Sequence, residues 1–148
     1  MKEEIFELTT VCDAYIAPIK RLLAQLSSSP VVFGREELQA IVGSPSSHLF
    51  LLKAGECVVG MLTLCSYIAP TGRKYWIEDV VVDSAMRGRA YGRRLVEYAI
   101  DFASSEGRGT LMLTSKPARV AANALYRSVG FALKETNLYR MSVPRADE

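Results

Sequence analysis

Between residues 81 and 95 the chain reads VVDSAMRGRAYGRRL, with four arginines, two glycines and an alanine inside the eight residues from Arg87 to Arg94. The β-branched run before it suits a strand, and the amphipathic pattern after it suits a helix. Where a helix begins, its first N–H groups lack intrahelical partners and the helix dipole adds partial positive charge. Gly88, Ala90 and Gly92 have little or no side chain, so an oxyanion can approach the backbone closely. Arg87 and Arg89 would add charge-assisted hydrogen bonds. Several donors in succession suit a pyrophosphate better than a single carboxylate. The GxxxxGK[ST] pattern is absent, so this is not a P-loop. GxGxxG is absent too, with no acid about 20 residues further on, which argues against a dinucleotide-binding turn. On these residues alone, a solvated basic turn is the plain alternative.

Other chemistry is thinly represented. His48 is the single histidine and stands before the apolar run LFLLK, where it reads as structural. Any Ser-His-Asp triad would have to use it, and a multi-histidine metal site is excluded. Cys12, Cys57 and Cys65 are odd in number and share no short spacing, so neither a disulfide framework nor a CxxC site is expected. The net charge of +2 is too small to suggest a nucleic-acid partner. No apolar stretch approaches the roughly 18 residues of a membrane span, and MKEEIFELTT has no apolar leader core. The expectation is a cytoplasmic protein with no membrane partner.

These groups must be positioned by the surrounding elements. At 148 residues the length fits a single domain over 1–148, with about 144–148 as a frayed tail. EIFELTT alternates and reads as a strand; Asp13 can cap a helix over roughly 14–26, and a short helix follows near 35–42. HLFLLKAGECVVGMLTLCSYI reads as two strands around KAGE, and YWIEDVVVD as a third. Leu95, Val96, Ala99, Ile100 and Ala103 make a helical stripe over 91–106, stopped by Gly107 and Gly109. TLMLTS reads as a strand, ARVAANALYRSVGF as a helix closed at Gly130, and FALKET and LYRMSV as two last strands. The order is β-α-α-β-β-β-α-β-α-β-β. It predicts an α/β (α+β) fold with a mixed, mostly antiparallel central sheet flanked by helices and a right-handed crossover through 91–106.

RGRAYG resembles the R/Q-x-x-G/A-x-G/A signature of the GNAT superfamily of N-acetyltransferases, whose loop wraps the pyrophosphate of acetyl-coenzyme A. IEDVVVDSAMRGRAYGRRLVEYAIDFA is similar to that family's central strand, loop and helix. TLMLTSKPARVAANALYRSVGF is similar to its next strand and helix, with two residues rather than three between Asn123 and Tyr126. The resemblance runs from about residue 5 to 143 and implies the acyl-CoA N-acyltransferase fold. It also implies acetyl-CoA as co-substrate and a primary amine acceptor: a small molecule, an amino acid or a peptide. A non-catalytic acyl-CoA sensor of the same fold is the alternative, and a homodimer is compatible with the family.

Acetyl transfer from a thioester sets three demands. The amine must be neutral, and deprotonating a group of pKa about 10.4 at pH 7 costs roughly 4.6 kcal/mol. A carboxylate is the natural acceptor, and the resemblance favours Glu78 over Asp79 as base, since strand alternation turns only one of them into a given cleft. The developing oxyanion needs donors, for which the backbone N–H groups of Val80, Val81 and Val82 are expected, freed by the sheet splay and bulge that the family shows here. The leaving thiolate needs a proton or a hydrogen bond, and Tyr126 occupies the family's usual donor position. By resemblance Arg87, Gly88, Arg89, Ala90, Tyr91, Gly92 and Asn123 contact the coenzyme. Thr114 and Ser115 are further candidates on the coenzyme side, and Tyr139 and Arg140 on the acceptor side. No cysteine lies in the reaction strand, which favours direct transfer over an acyl-enzyme.

Overall fold

The computed structural model describes residues 1–148 and separates into two compact units, Met1–Ser115 and Lys116–Glu148. The first contains strand β1 (Glu3–Glu7), helices α1 (Ile16–Leu26) and α2 (Arg35–Val42), and strands β2 (Ser47–Ala54), β3 (Cys57–Ala69) and β4 (Gly72–Val82). Helix α3 (Tyr91–Glu106) and strand β5 (Thr110–Met112) complete it. The sheet order is β1-β2-β3-β4-β5, antiparallel except for the parallel β4–β5 pair. The expected mixed, mostly antiparallel sheet is therefore present, and α3 is the crossover that its one parallel pair requires.

Both faces of the sheet are covered. Ile19 and Leu22 of α1 and Leu38 of α2 pack with Leu49, Leu51, Met61 and Val81 on one face. On the other face lies α3, whose Tyr98 and Phe102 rings meet Phe50 at 5.0 and 5.2 Å. Gly60 lets Leu95 approach so closely that a Cβ there would lie 3.1 Å from Leu95 Cδ1. Apolar residues therefore run almost continuously along β2 and β3, as in strands buried on both sides. The buried Tyr75 hydroxyl shares its one hydrogen between Gly107 O (2.7 Å) and Ala103 O (3.1 Å), fixing the end of α3 to β4.

His48 is structural, as expected: its Nδ1 lies 2.6 Å from Glu7 Oε2 and its ring lies 4.6 Å from that of Phe102. Asp13 does not cap α1. It opens the 3-10 turn Asp13–Tyr15, and its carboxylate pairs with Arg35 instead.

In the second unit, helix α4 (Val120–Ser128) is closed at Gly130 as expected. The two last strands are not formed, because residues 131–148 carry neither helix nor strand. Their alternation supplies strand-like side chains, but a strand exists only where its N–H and C=O groups bond another backbone. Within this unit, residues 131–148 make only the backbone–backbone bonds Phe131 N to Tyr126 O and Glu148 N to Arg145 O. Leu133, Leu138, Tyr139, Met141 and Val143 are left exposed. The observed order is β-α-α-β-β-β-α-β-α.

Candidate functional site

Strand β4 changes character along its length. Its pairing with β5 covers only Lys74–Trp76, so from Ile77 to Val82 the outer edge of β4 has no strand beside it. On the inner edge Thr63 faces Glu78 but Met61 faces Val81, so Asp79 and Val80 share the space opposite Leu62. This is a β-bulge, and Asp79 takes the left-handed φ of 52° that opens it. Simple alternation thus fails between Glu78 and Asp79. The extra residue puts Glu78 and Val81, three apart, on the face that carries α1 and α2.

The bulge also narrows the choice of oxyanion donors. Asp83 N–H donates to Val59 O at 2.8 Å, and the register pairs Val82 with Gly60 and Val81 with Met61. Hydrogen-bonded and non-hydrogen-bonded pairs alternate in an antiparallel ladder, so Val81 points its N–H at β3 and Val82 points its own at the open edge. The Val81 side chain is core, while Val80 and Val82 are half-buried.

Glu78 and Asp79 are exposed and form no ion pair. Partial desolvation, followed by the charge of Asp79, pushes the Glu78 carboxyl above its ordinary 4.5. Cys65, which its spacing to the other cysteines only removes from a disulfide or CxxC site, proves to lie beside Glu78. Antiparallel pairing sets it opposite Trp76, diagonal to Glu78, with its Sγ 3.9 Å from Ser47 Oγ. Burial, partly offset by that Ser47 bond, raises its thiol above 9.0, and the Glu78 and Asp79 charges add to the rise. It therefore stays a thiol and is a poor nucleophile. The signal that could have found it was the cross-strand register.

Past β4, Asp83 accepts from Ala85 N (3.1 Å) and caps the 3-10 turn Ser84–Met86. This amide bond is the first cause of a carboxyl held below 3.8. Helix α1 reaches the same point: Gln25 Oε1 accepts from Ser84 N at 2.8 Å, and Arg21 Nε lies 3.5 Å from Asp83 Oδ2. The start of the loop is thereby fixed to the helix that covers the Glu78 face.

Gly88 and Ala90 then adopt φ of 79° and 62°, with Arg89 between them. Alternating left-handed residues turn successive N–H groups toward one concavity, a geometry suited to an anion. The N–H groups of Gly88, Arg89, Ala90, Tyr91 and Gly92 donate to no protein acceptor; the first bond of α3 is Arg94 N to Ala90 O. Arg93 pairs with Glu97 at 3.0 Å and Arg94 with Glu3, whereas Arg87 and Arg89 are exposed and form no ion pair. The Tyr91 side chain is buried, so only its amide faces a ligand. The loop thus has unpaired donors and two free guanidinium groups, chemistry suited to an anion.

Three residues beyond the end of β5, Ser115 Oγ is buried without a hydrogen-bond partner. In the second unit, both hydrogens of the Asn123 side-chain amide are engaged, at Lys116 O (2.9 Å) and Arg119 O (2.8 Å). Only its Oδ1 is left for a ligand. Tyr126 is buried, its ring 6.0 Å from that of Phe131, and burial raises its phenol above 10.0 despite Arg119. It remains a proton donor at neutral pH. Tyr139 is exposed.

Residues 18–131 match the family model described as the acetyltransferase (GNAT) family. The chain belongs to this family. It is 34% identical over 102 residues to the N-alpha-acetyltransferase RimI of Mycobacterium tuberculosis, covering 69% of this chain and 60% of that protein. With YhdJ, an uncharacterized N-acetyltransferase of Bacillus subtilis, it shares 30% identity over 110 residues, 73% of this chain and 77% of that one. In fold it is similar to glucosamine-6-phosphate N-acetyltransferase from Arabidopsis thaliana, with a TM-score of 0.80 at 21% identity over 95% of this chain and 99% of that one. The GNAT fold expected from RGRAYG is thus the fold observed. No helix is long and apolar enough to cross a membrane.

Proposed function

We propose that this GNAT chain is an N-acetyltransferase that moves an acetyl group from acetyl-CoA to a primary amine by direct transfer, with residues 1–148 acting as one catalytic domain. One observation carries the reading: the unpaired edge of β4 leads directly into the loop whose unpaired amides run from Gly88 to Gly92. An anion held by the loop would leave an attached arm lying along an edge that still has donors to offer. Bound acetyl-CoA supplies the thioester carbonyl. Val82 N–H polarises that carbonyl, and Arg87 and Arg89 hold the diphosphate. Glu78, its pKa raised by partial desolvation and the charge of Asp79, takes the amine proton directly or through water. Tyr126 offers its hydroxyl hydrogen to the departing sulfur, and Asn123 contributes Oδ1 to the coenzyme.

Isothermal titration with coenzyme A, followed by thiol release from acetyl-CoA over a panel of amines, tests this. No binding at millimolar coenzyme removes the proposal, and binding without thiol release makes the protein a sensor. Tyr126→Phe is expected to lower kcat while leaving coenzyme affinity nearly unchanged.

A further inference from the structure

Resting on the N-acetyltransferase reading, we infer that the acceptor is an arylalkyl monoamine whose amine meets Glu78 while its ring lies against Trp76 and Tyr67. The register puts Thr63 opposite Glu78, Cys65 opposite Trp76 and Tyr67 opposite Lys74, so all six side chains share one face of the β3–β4 hairpin. Trp76 Nε1–H donates to the Tyr67 hydroxyl at 3.4 Å, which ties the two rings together. Tyr67 is 51% exposed and Trp76 half-buried, while the apolar side chains further along this face, Met61 and Val81, are core. Aromatic surface is therefore left over immediately beside the Glu78 carboxylate, which has no cation of its own.

The spacing and charge of this row select the ligand. Side chains two residues apart on a strand are separated by about 6.6 Å. A short alkyl link spans that step from the Glu78 carboxylate to the Trp76 ring. An ammonium group arriving at Glu78 is drawn by that carboxylate, by the nearby charge of Asp79 and by the ring faces. Lys74 stands one step beyond Trp76 and repels a second cation, so a polyamine is disfavoured where a monoamine is accepted. Cys65, opposite Trp76, and Ser47 across from it on β2 are both small side chains.

Trp76 is the only tryptophan, so the intrinsic fluorescence of the whole protein reports on this residue. With coenzyme A present, titration with phenethylamine is expected to change the emission saturably, and hexylamine and spermidine are not. In the thiol-release assay kcat/KM for phenethylamine should exceed that for hexylamine by roughly twofold to tenfold, the worth of one aromatic contact. Trp76→Leu should bring the two substrates level. A flat emission titration, equal use of hexylamine, or a preference that survives Trp76→Leu overturns the acceptor assignment while leaving acetyl transfer intact. Saturable emission with no thiol release from any amine supports the ring site and removes acetyl transfer instead.

Discussion

Gly88→Ala is a direct probe of the loop. At Gly88 φ is +79°, and a Cβ built there would have no atom within 4 Å, so the substitution meets no steric obstacle. Any effect must come from the backbone. A left-handed conformation costs an L-residue roughly 1–2 kcal/mol. The reduced freedom of the unfolded chain returns about 0.4–1 kcal/mol. The net loss is about 1 kcal/mol if the loop keeps its shape, which lowers Tm by about 2–4 °C in a chain of this size. If the loop escapes the strain by leaving the left-handed region, Tm is preserved but the amides turn away from the ligand. Two charge-assisted bonds of about 1.5 kcal/mol each are then lost, and coenzyme A binds roughly a hundredfold more weakly. Calorimetric unfolding together with titration of coenzyme A separates the two outcomes, and Gly88→Asn, which tolerates this region better, should fall between wild type and Gly88→Ala. Gly88→Ala with both Tm and coenzyme affinity unchanged would refute the reasoning, because it would mean the cradle does not depend on that φ.

Two further perturbations test the rest of the site. Desolvation and Asp79 raise the Glu78 pKa, so Glu78 keeps its proton to a higher pH and the base is switched off as pH falls through a value above 4.5. The acid limb of kcat/KM should reflect that value, move down in Asp79→Asn, and vanish in Glu78→Gln with a fall in kcat of about a hundredfold or more. Gln25→Ala removes the bond to Ser84 N, so thermal unfolding should show a loss of about 1 kcal/mol and titration a weaker hold on coenzyme A.

Much of the site could be read from the chain because it is local. Arg87 to Gly92 are neighbours in sequence; the helix start exposes the amides of Tyr91 and Gly92, and the left-handed Gly88 and Ala90 turn those before them. The buried stripe of α3, the apolar runs of β2 and β3 and the stop at Gly130 follow from periodicity and backbone freedom over a few residues. The signs of the charges were legible as well, but not which arginines remain free. That depended on Glu3 reaching Arg94 across 91 residues of sequence.

What the sequence by itself determined about this protein was its set of amphipathic elements, the anion-binding turn and the GNAT signature. The resemblance implied a bulge and a splay at this strand; tertiary structure alone placed the bulge at Asp79, ended the pairing with β5 at Trp76, and put Glu78, Cys65 and Trp76 on one face. It also left the alternating C-terminal segment without strands. The physical reason is the same in each case. Periodicity records which side of an element is apolar, whereas pairing, bulges and cross-strand neighbours depend on a second piece of backbone whose position no local pattern contains.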